Sequence, residues 1–123
     1  MLTFDFVEEV CDWNIERDNL RYDRANEYAM LAEEVEEYME ASVLYSEVGE
    51  ADALADTAVV AIGGLIKLCR GNKQKVYDIL LAVTSANNLK NSTKNSAGKI
   101  TKPKGFVGPE KIISRILGKY SEG

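Results

Sequence analysis

Apolar residues recur at steps of three and four along most of this chain, the period of a helix rather than the alternation of a strand. Residues 3–18 place Phe6, Val10, Trp13 and Arg17 at those steps, which predicts a short amphipathic helix with Trp13 on its core face. A polar stretch follows over 18–23. From about 22 to 45, Tyr28, Leu31, Ala32, Val35, Tyr38, Met39 and Ser42 form one broad apolar face. Gly49 marks a break, and residues 50–70 are apolar nearly all round, which predicts a buried central helix. Arg70-Gly71-Asn72 reads as a helix stop and turn. Residues 73–90 then carry Val76, Ile79, Leu80 and Val83 on one face. The segment 91–108 is polar, basic and rich in turn formers, so it is expected to be a loop or lid. Residues 110–117 can form a closing helix. The pattern predicts one all-α domain over 1–123, a bundle of four to five helices.

The acids divide on the same wheel. At about 100° per residue, Glu33, Glu36, Glu40 and Glu47 gather on the side away from Leu31 and Tyr38 and read as a solvated stripe. Glu34 and Glu37 fall instead between the apolar residues, with Met30, Ala41 and Leu44 on their other flank. On the next helix Asp52 and Asp56 are four apart and share a face that Gly63 continues. An unpaired carboxylate on a buried helix costs several kcal/mol, so these aspartates call for a base, a hydrogen-bond network or a metal. Gly63-Gly64, poor helix chemistry, suits close helix packing or the approach of a ligand.

Composition narrows the choice. With 123 residues there is core for one domain. The longest apolar run, Ala58 to Ile66, falls well short of the roughly 20 residues that cross a bilayer. The N-terminal stretch lacks the basic start and apolar core of a signal peptide. Cys11 and Cys69 have no metal-motif spacing and suit reduced thiols in a cytoplasm. No histidine is present, which excludes histidine-based catalysis and the Glu-x-x-His ligands of di-iron bundles. Charge is unevenly spread: residues 1–61 hold 17 of the 20 acids and 3 of the 15 bases. Either the two halves pair, or one half binds cations and the other anions.

Glu34 with Glu37, and Asp52 with Asp56, can each point two carboxylates at one place. An all-oxygen set suits a hard cation, Mg²⁺ or Mn²⁺, rather than zinc, and Mg²⁺ commonly completes its shell with water and substrate phosphates. Lys90, Lys99, Lys102 and Lys104, beyond Asn87, could hold the rest of a phosphate chain. A P-loop is absent: Gly98-Lys99 lacks the required neighbours at Thr93 and Ile100. The economical nucleophile is a metal-activated water, with Glu33 or Glu37 free to orient or deprotonate it. Trp13, Asn14 and Tyr22 are candidates to face a base.

The run Glu33-Glu34-Val35-Glu36-Glu37 resembles the first motif of the MazG-like, all-α nucleoside triphosphate pyrophosphohydrolase superfamily, and Asp52-Ala-Leu-Ala-Asp56 looks like its second. Val83-x-x-Ala86-Asn87-x-x-Lys90, then Gly98-Lys99-x-x-Lys102 and Phe106-Val-Gly-Pro109, is similar to the C-terminal part of phosphoribosyl-ATP pyrophosphohydrolase-like members. The resemblance covers roughly residues 28–110, with the three blocks in the family's order. It implies a helical bundle assembled as a homodimer or homotetramer that hydrolyses a nucleotide between the α and β phosphates with Mg²⁺, with no nucleic-acid polymer or membrane as partner. Carried over, Glu34, Glu37 and Asp56 match metal ligands, Glu33 a ligand or water-orienting acid, and Asn87 and Lys90 phosphate contacts. The family's second motif has a glutamate three residues before its aspartate, where this chain has Ala53, so Asp52 would have to substitute. The runner-up is a non-catalytic helical module of the same fold that binds nucleotide or protein; a bundle whose acidic and basic halves pair between protomers is a third reading.

Overall fold

Three side chains set the starts of the first three helices. In the computed structural model, which describes residues 4–91 and 93–119, Asp5, Asp23 and Ser46 each accept a backbone N–H from the following turn, at 3.0, 3.2 and 3.1 Å. Those bonds satisfy donors that a helix cannot satisfy itself. The helices they open are α1 (Phe6–Glu16), α2 (Arg24–Val43) and α3 (Glu47–Leu68). Two more follow, α4 (Lys73–Asn87) and α5 (Glu110–Ile116), and no strand forms among the described residues. The protein is all-α. None of these helices is long and apolar enough to cross a membrane.

Helix ends depart from the sequence pattern. The break between α2 and α3 falls at Leu44–Ser46, and Gly49 lies inside the first turn of α3. Asp18, Tyr45 and Arg70 adopt positive φ of 50–54° after α1, α2 and α3. The next residue then returns a hydrogen bond five positions back: Asn19 to Asn14, Ser46 to Ala41, Gly71 to Ile66. A left-handed non-glycine residue is disfavoured by roughly 1–2 kcal/mol, and only the α3 stop has a glycine beside it, Gly71 at φ 83°.

The chain divides into two units, residues 1–73 and 74–123. In the first, α2 and α3 run antiparallel in a register visible at seven-residue steps. Near the connecting turn, a Cβ on Gly49 would come within 2.9 Å of Ala41 Cβ, so only glycine lets the helices meet there. Seven residues back on α2 and seven forward on α3 lie Glu34 and Asp56. Seven further back on α2, Glu27 meets the far end of α3, eleven residues beyond Asp56: its carboxylate accepts a 2.6 Å hydrogen bond from Lys67 Nζ, with both side chains over nine-tenths buried. Gly64 passes close to the other Glu27 oxygen.

The face of α2 turned to α3 is therefore Glu27, Met30, Glu34 and Ala41, with Tyr38 at its edge. The broad apolar face expected in the core is exposed instead. Tyr28, Val35, Met39 and Val43 are each more than half exposed, and Leu31 is at the margin. Nor is α3 buried all round. It buries Ala53, Ile62, Gly63, Ile66 and Lys67 against its neighbours, while Leu54 and Val59 remain open. The short α1 packs on α3 through Val10, Cys11 and Asn14. Lys73 ties α1 to the end of this unit through Asp12 at 2.9 Å and Glu8 at 3.6 Å.

In the second unit α4 buries Val76, Ile79 and Ala82, with Val83 exposed. The basic segment is an organised loop. Asn91 and Thr93 bond Thr101 across it, and the Asn95 side chain accepts from the amides of Ala97 and Lys99 to close its turn.

The buried pair gives a direct test. Lys67→Met leaves the Glu27 carboxylate buried without its cation and is expected to destabilise the protein by about 3–5 kcal/mol. The double change of Glu27 and Lys67 to methionine recovers most of that loss; urea unfolding followed by circular dichroism measures both.

Candidate metal centre

One ligand atom from each of Glu34, Glu37 and Asp56 lies within 4.8 Å of the other two. Glu34 and Glu37 are one helical turn apart on α2, and Asp56 faces them from α3 at the middle step of the register. Glu34 and Asp56 are half-buried and Glu37 is exposed, so the cluster has an inner wall and an open side. Glu34 Oε2 is buried and finds no hydrogen-bond partner. A buried oxygen left without a donor costs about 1–3 kcal/mol or more, and this one belongs to a residue clustered with two other carboxylates.

Electrostatics agree with that geometry. Burial pushes the Glu34 carboxyl above the usual glutamate range. A side-chain hydrogen bond with Glu37 and then the charges of Glu37, Asp56 and Glu33 push it further. Protons or a cation relieve such a cluster. Three carboxylates without nitrogen or sulfur fit a hard divalent ion.

Other expected ligands stay outside. Asp52 is exposed and does not join the triad, while Ala53, only 2% exposed, is buried at the position where a glutamate was sought. The reason is angular. With the four-residue step to Asp56, Asp52 turns about 40° away from it, and it is exposed where Asp56 is half-buried. Glu33 is exposed and reaches the site only through its charge on Glu34.

The candidate phosphate residues separate as well. In the second unit Asn87, Lys90 and Lys102 line one pocket of about 190 Å³ with Val83, Phe106 and Glu110. The Lys102 ammonium lies 5.5 Å from the Phe106 ring centre. Lys99 and Lys104 are exposed and do not line it. The pattern gave no hint of Phe106 or Glu110 as lining residues.

Of the base-facing candidates, Asn14 is corrected. It is buried, its amide donates to the Val10 carbonyl at 2.8 Å, and its carbonyl oxygen accepts from Asn19 at 2.7 Å. It sits against Gly63, with both its amide nitrogen and its oxygen engaged inside the fold. Trp13, expected in the core, is 52% exposed. It lines a groove of about 340 Å³ with Phe4, Phe6, Glu9, Val10 and Val59. The steps Phe6, Val10, Trp13 that suggested a core face belong to this open groove. Tyr22 is half-buried, with the Arg24 guanidinium 5.6 Å from its ring. Cys11 and Cys69 are buried and unbridged, and burial followed by the charge of Asp12 pushes the Cys11 thiol up, away from nucleophile chemistry.

No family model, curated protein or solved structure gives a significant match to this chain.

The raised Glu34 carboxyl predicts a pH dependence. The folded state holds that proton to a higher pH than the unfolded state. Its stabilising contribution is therefore complete below the ordinary value of 4.5 and is lost as pH climbs through the raised one. In EDTA, Glu34→Gln should melt higher than wild type at pH 8, with a smaller difference at pH 4.5. Added Mn²⁺ should raise the wild-type melting temperature at pH 8 and leave the variant nearly unmoved; thermal melts in the two buffers measure it.

Proposed function

We propose that this protein is a Mg²⁺-dependent nucleotide pyrophosphohydrolase, with Mn²⁺ able to substitute, that cleaves a nucleoside triphosphate or related nucleotide to the monophosphate and pyrophosphate. The observation that carries the reading is the Glu34–Glu37–Asp56 triad, together with a buried Glu34 oxygen that has no hydrogen-bond partner. Those three residues would hold the cation. When bound, it supplies charge neutralisation for the phosphates and lowers the pKa of a water.

In the reaction one P–O bond forms to the water oxygen, and the bridging P–O bond between the α and β phosphates breaks, its electron pair leaving on the bridging oxygen. Glu34, half-buried and fixed by the α2–α3 register, positions the inner ligand oxygen. Exposed Glu37 closes the solvent side. Glu33, outside the triad, is free to orient the water and take its proton. In the second unit, the pocket of Asn87, Lys90 and Lys102 offers the donors and positive charge that phosphate oxygens require.

The exposed stripe of Leu31, Val35, Met39 and Val43 on α2 supports assembly as a homodimer or homotetramer, because a contiguous apolar strip on a helix favours burial. One observation favours the runner-up, a non-catalytic nucleotide-binding module: with Ala53 buried and Asp52 turned away, the triad has one carboxylate fewer than the family pattern.

Incubation with pooled NTPs and dNTPs and Mg²⁺, with products identified by chromatography, tests the activity. Monophosphate plus pyrophosphate is expected, with a loss of about 100-fold or more in Glu37→Gln. Diphosphate plus phosphate contradicts the reaction, and metal uptake without turnover selects the module. Sedimentation tests assembly: a dimer or tetramer is expected for wild type and monomer for Val35→Glu.

A further inference from the structure

The groove beside Trp13 lies next to the metal centre along one helix. Val59, which lines it, comes three residues after Asp56 on α3, a rise of about 4.5 Å and a turn of about 60° toward α1. Its other walls come from α1 and the residues just before it: Phe4, Phe6, Val10 and Trp13. Arg17 covers one face of the indole at 4.5 Å, held there by a 3.1 Å bond from its Nη1 to the Trp13 carbonyl oxygen. A planar ring entering the groove would meet aromatic and aliphatic surface, the setting in which bases stack.

Glu9 is the one acidic residue among these walls. It forms no ion pair with another described residue. Its carboxylate can accept hydrogen bonds and cannot donate them. That property discriminates among bases. An exocyclic amino group of cytosine, adenine or guanine supplies a donor at the edge of the base, whereas uracil and thymine have no amino group and offer only an N3–H flanked by two carbonyl oxygens that repel a carboxylate.

We infer that the Phe6–Trp13 groove takes the base of the nucleotide and that Glu9 selects bases bearing an exocyclic amino group over uracil and thymine. This rests on the nucleotide reading above, and it names the class of substrate that reading leaves open. A volume of about 340 Å³ admits a single purine or pyrimidine. Glu9 acts as a specificity residue, remote from the bond that breaks.

Trp13 is the only tryptophan in the chain, so its indole N–H gives a single reporter in a ¹H–¹⁵N spectrum. Titrating cytidine and uridine separately into the full-length protein in EDTA requires neither metal nor turnover. Cytidine should shift the indole signal at concentrations about tenfold lower than uridine, the effect of one charge-assisted hydrogen bond. Glu9→Gln should bring the ratio to near one, because an amide both donates and accepts. Equal shifts by the two nucleosides, or a preference that survives Glu9→Gln, overturns the inference. So does an indole signal that ignores both nucleosides and moves only with protein concentration, which would give the groove to a second copy of the chain. Glu37→Gln should leave the cytidine preference intact, so loss of hydrolysis and loss of base selection are read separately.

Discussion

A buried ion pair at one end of a helical hairpin and a glycine at the other fix everything that follows in the first unit. Lys67 and Glu27 share a 2.6 Å hydrogen bond out of reach of water. Gly49 admits Ala41 where any side chain would collide. A charge pair so deeply buried adds little net stability and strongly penalises its own disruption. It is therefore better suited to choosing one register than to strengthening the fold. Sliding α3 by one residue would strand both charges and set a new side chain against Ala41. Between these two anchors, seven residues from the glycine contact on each helix, stand Glu34 and Asp56.

That placement explains why a carboxylate sits in a disfavoured position. Glu34 is drawn into the helix interface by the same geometry that buries Glu27, yet it meets Glu37 and Asp56 where Glu27 meets a lysine. The result is an ordered, repulsive pocket whose carboxyl holds its proton too long. Strain of this kind persists where the surrounding packing over-determines it, and here the ion pair and the glycine contact do so. Under the proposed function, stability and cation affinity become opposed properties of one residue. The distribution of charge has the same logic at larger scale. Residues 1–73 carry 17 acids against 6 bases, residues 74–123 carry 3 against 9, and the pocket holding Lys90 and Lys102 belongs to the basic part.

Much of this was legible in the spacing of residues. Five helices fall close to where the apolar period places them, and the wheel separates Glu34 from Glu36 and Glu40 without help from a structure. What failed did so for identifiable reasons. The wheel finds an apolar face on α2 but cannot say which neighbour covers it; in one chain α3 takes the acidic side, and Tyr28, Val35 and Met39 stay open. Asp52 and Asp56 are close in angle on the helix, yet about 40° is enough to leave one exposed and the other half-buried. Trp13 and Asn14 are neighbours that exchanged roles, since about 100° of rotation takes one to solvent and the other to Gly63. The stop after α2 at Tyr45 carries no glycine signal, because the residue that turns left-handed there is not a glycine, whereas Arg70-Gly71 marks the end of α3. Glu27 passed unnoticed because its partner is 40 residues away.

The central claim is that Glu34, Glu37 and Asp56 form a cation site and that Asp52 lies outside it. Electron paramagnetic resonance of Mn²⁺ titrated into wild type, Asp56→Asn and Asp52→Asn addresses it without reference to any substrate. Saturable uptake by wild type and Asp52→Asn, and its loss in Asp56→Asn, is the predicted result. No uptake by wild type, or uptake that survives Asp56→Asn and is lost in Asp52→Asn, would contradict it.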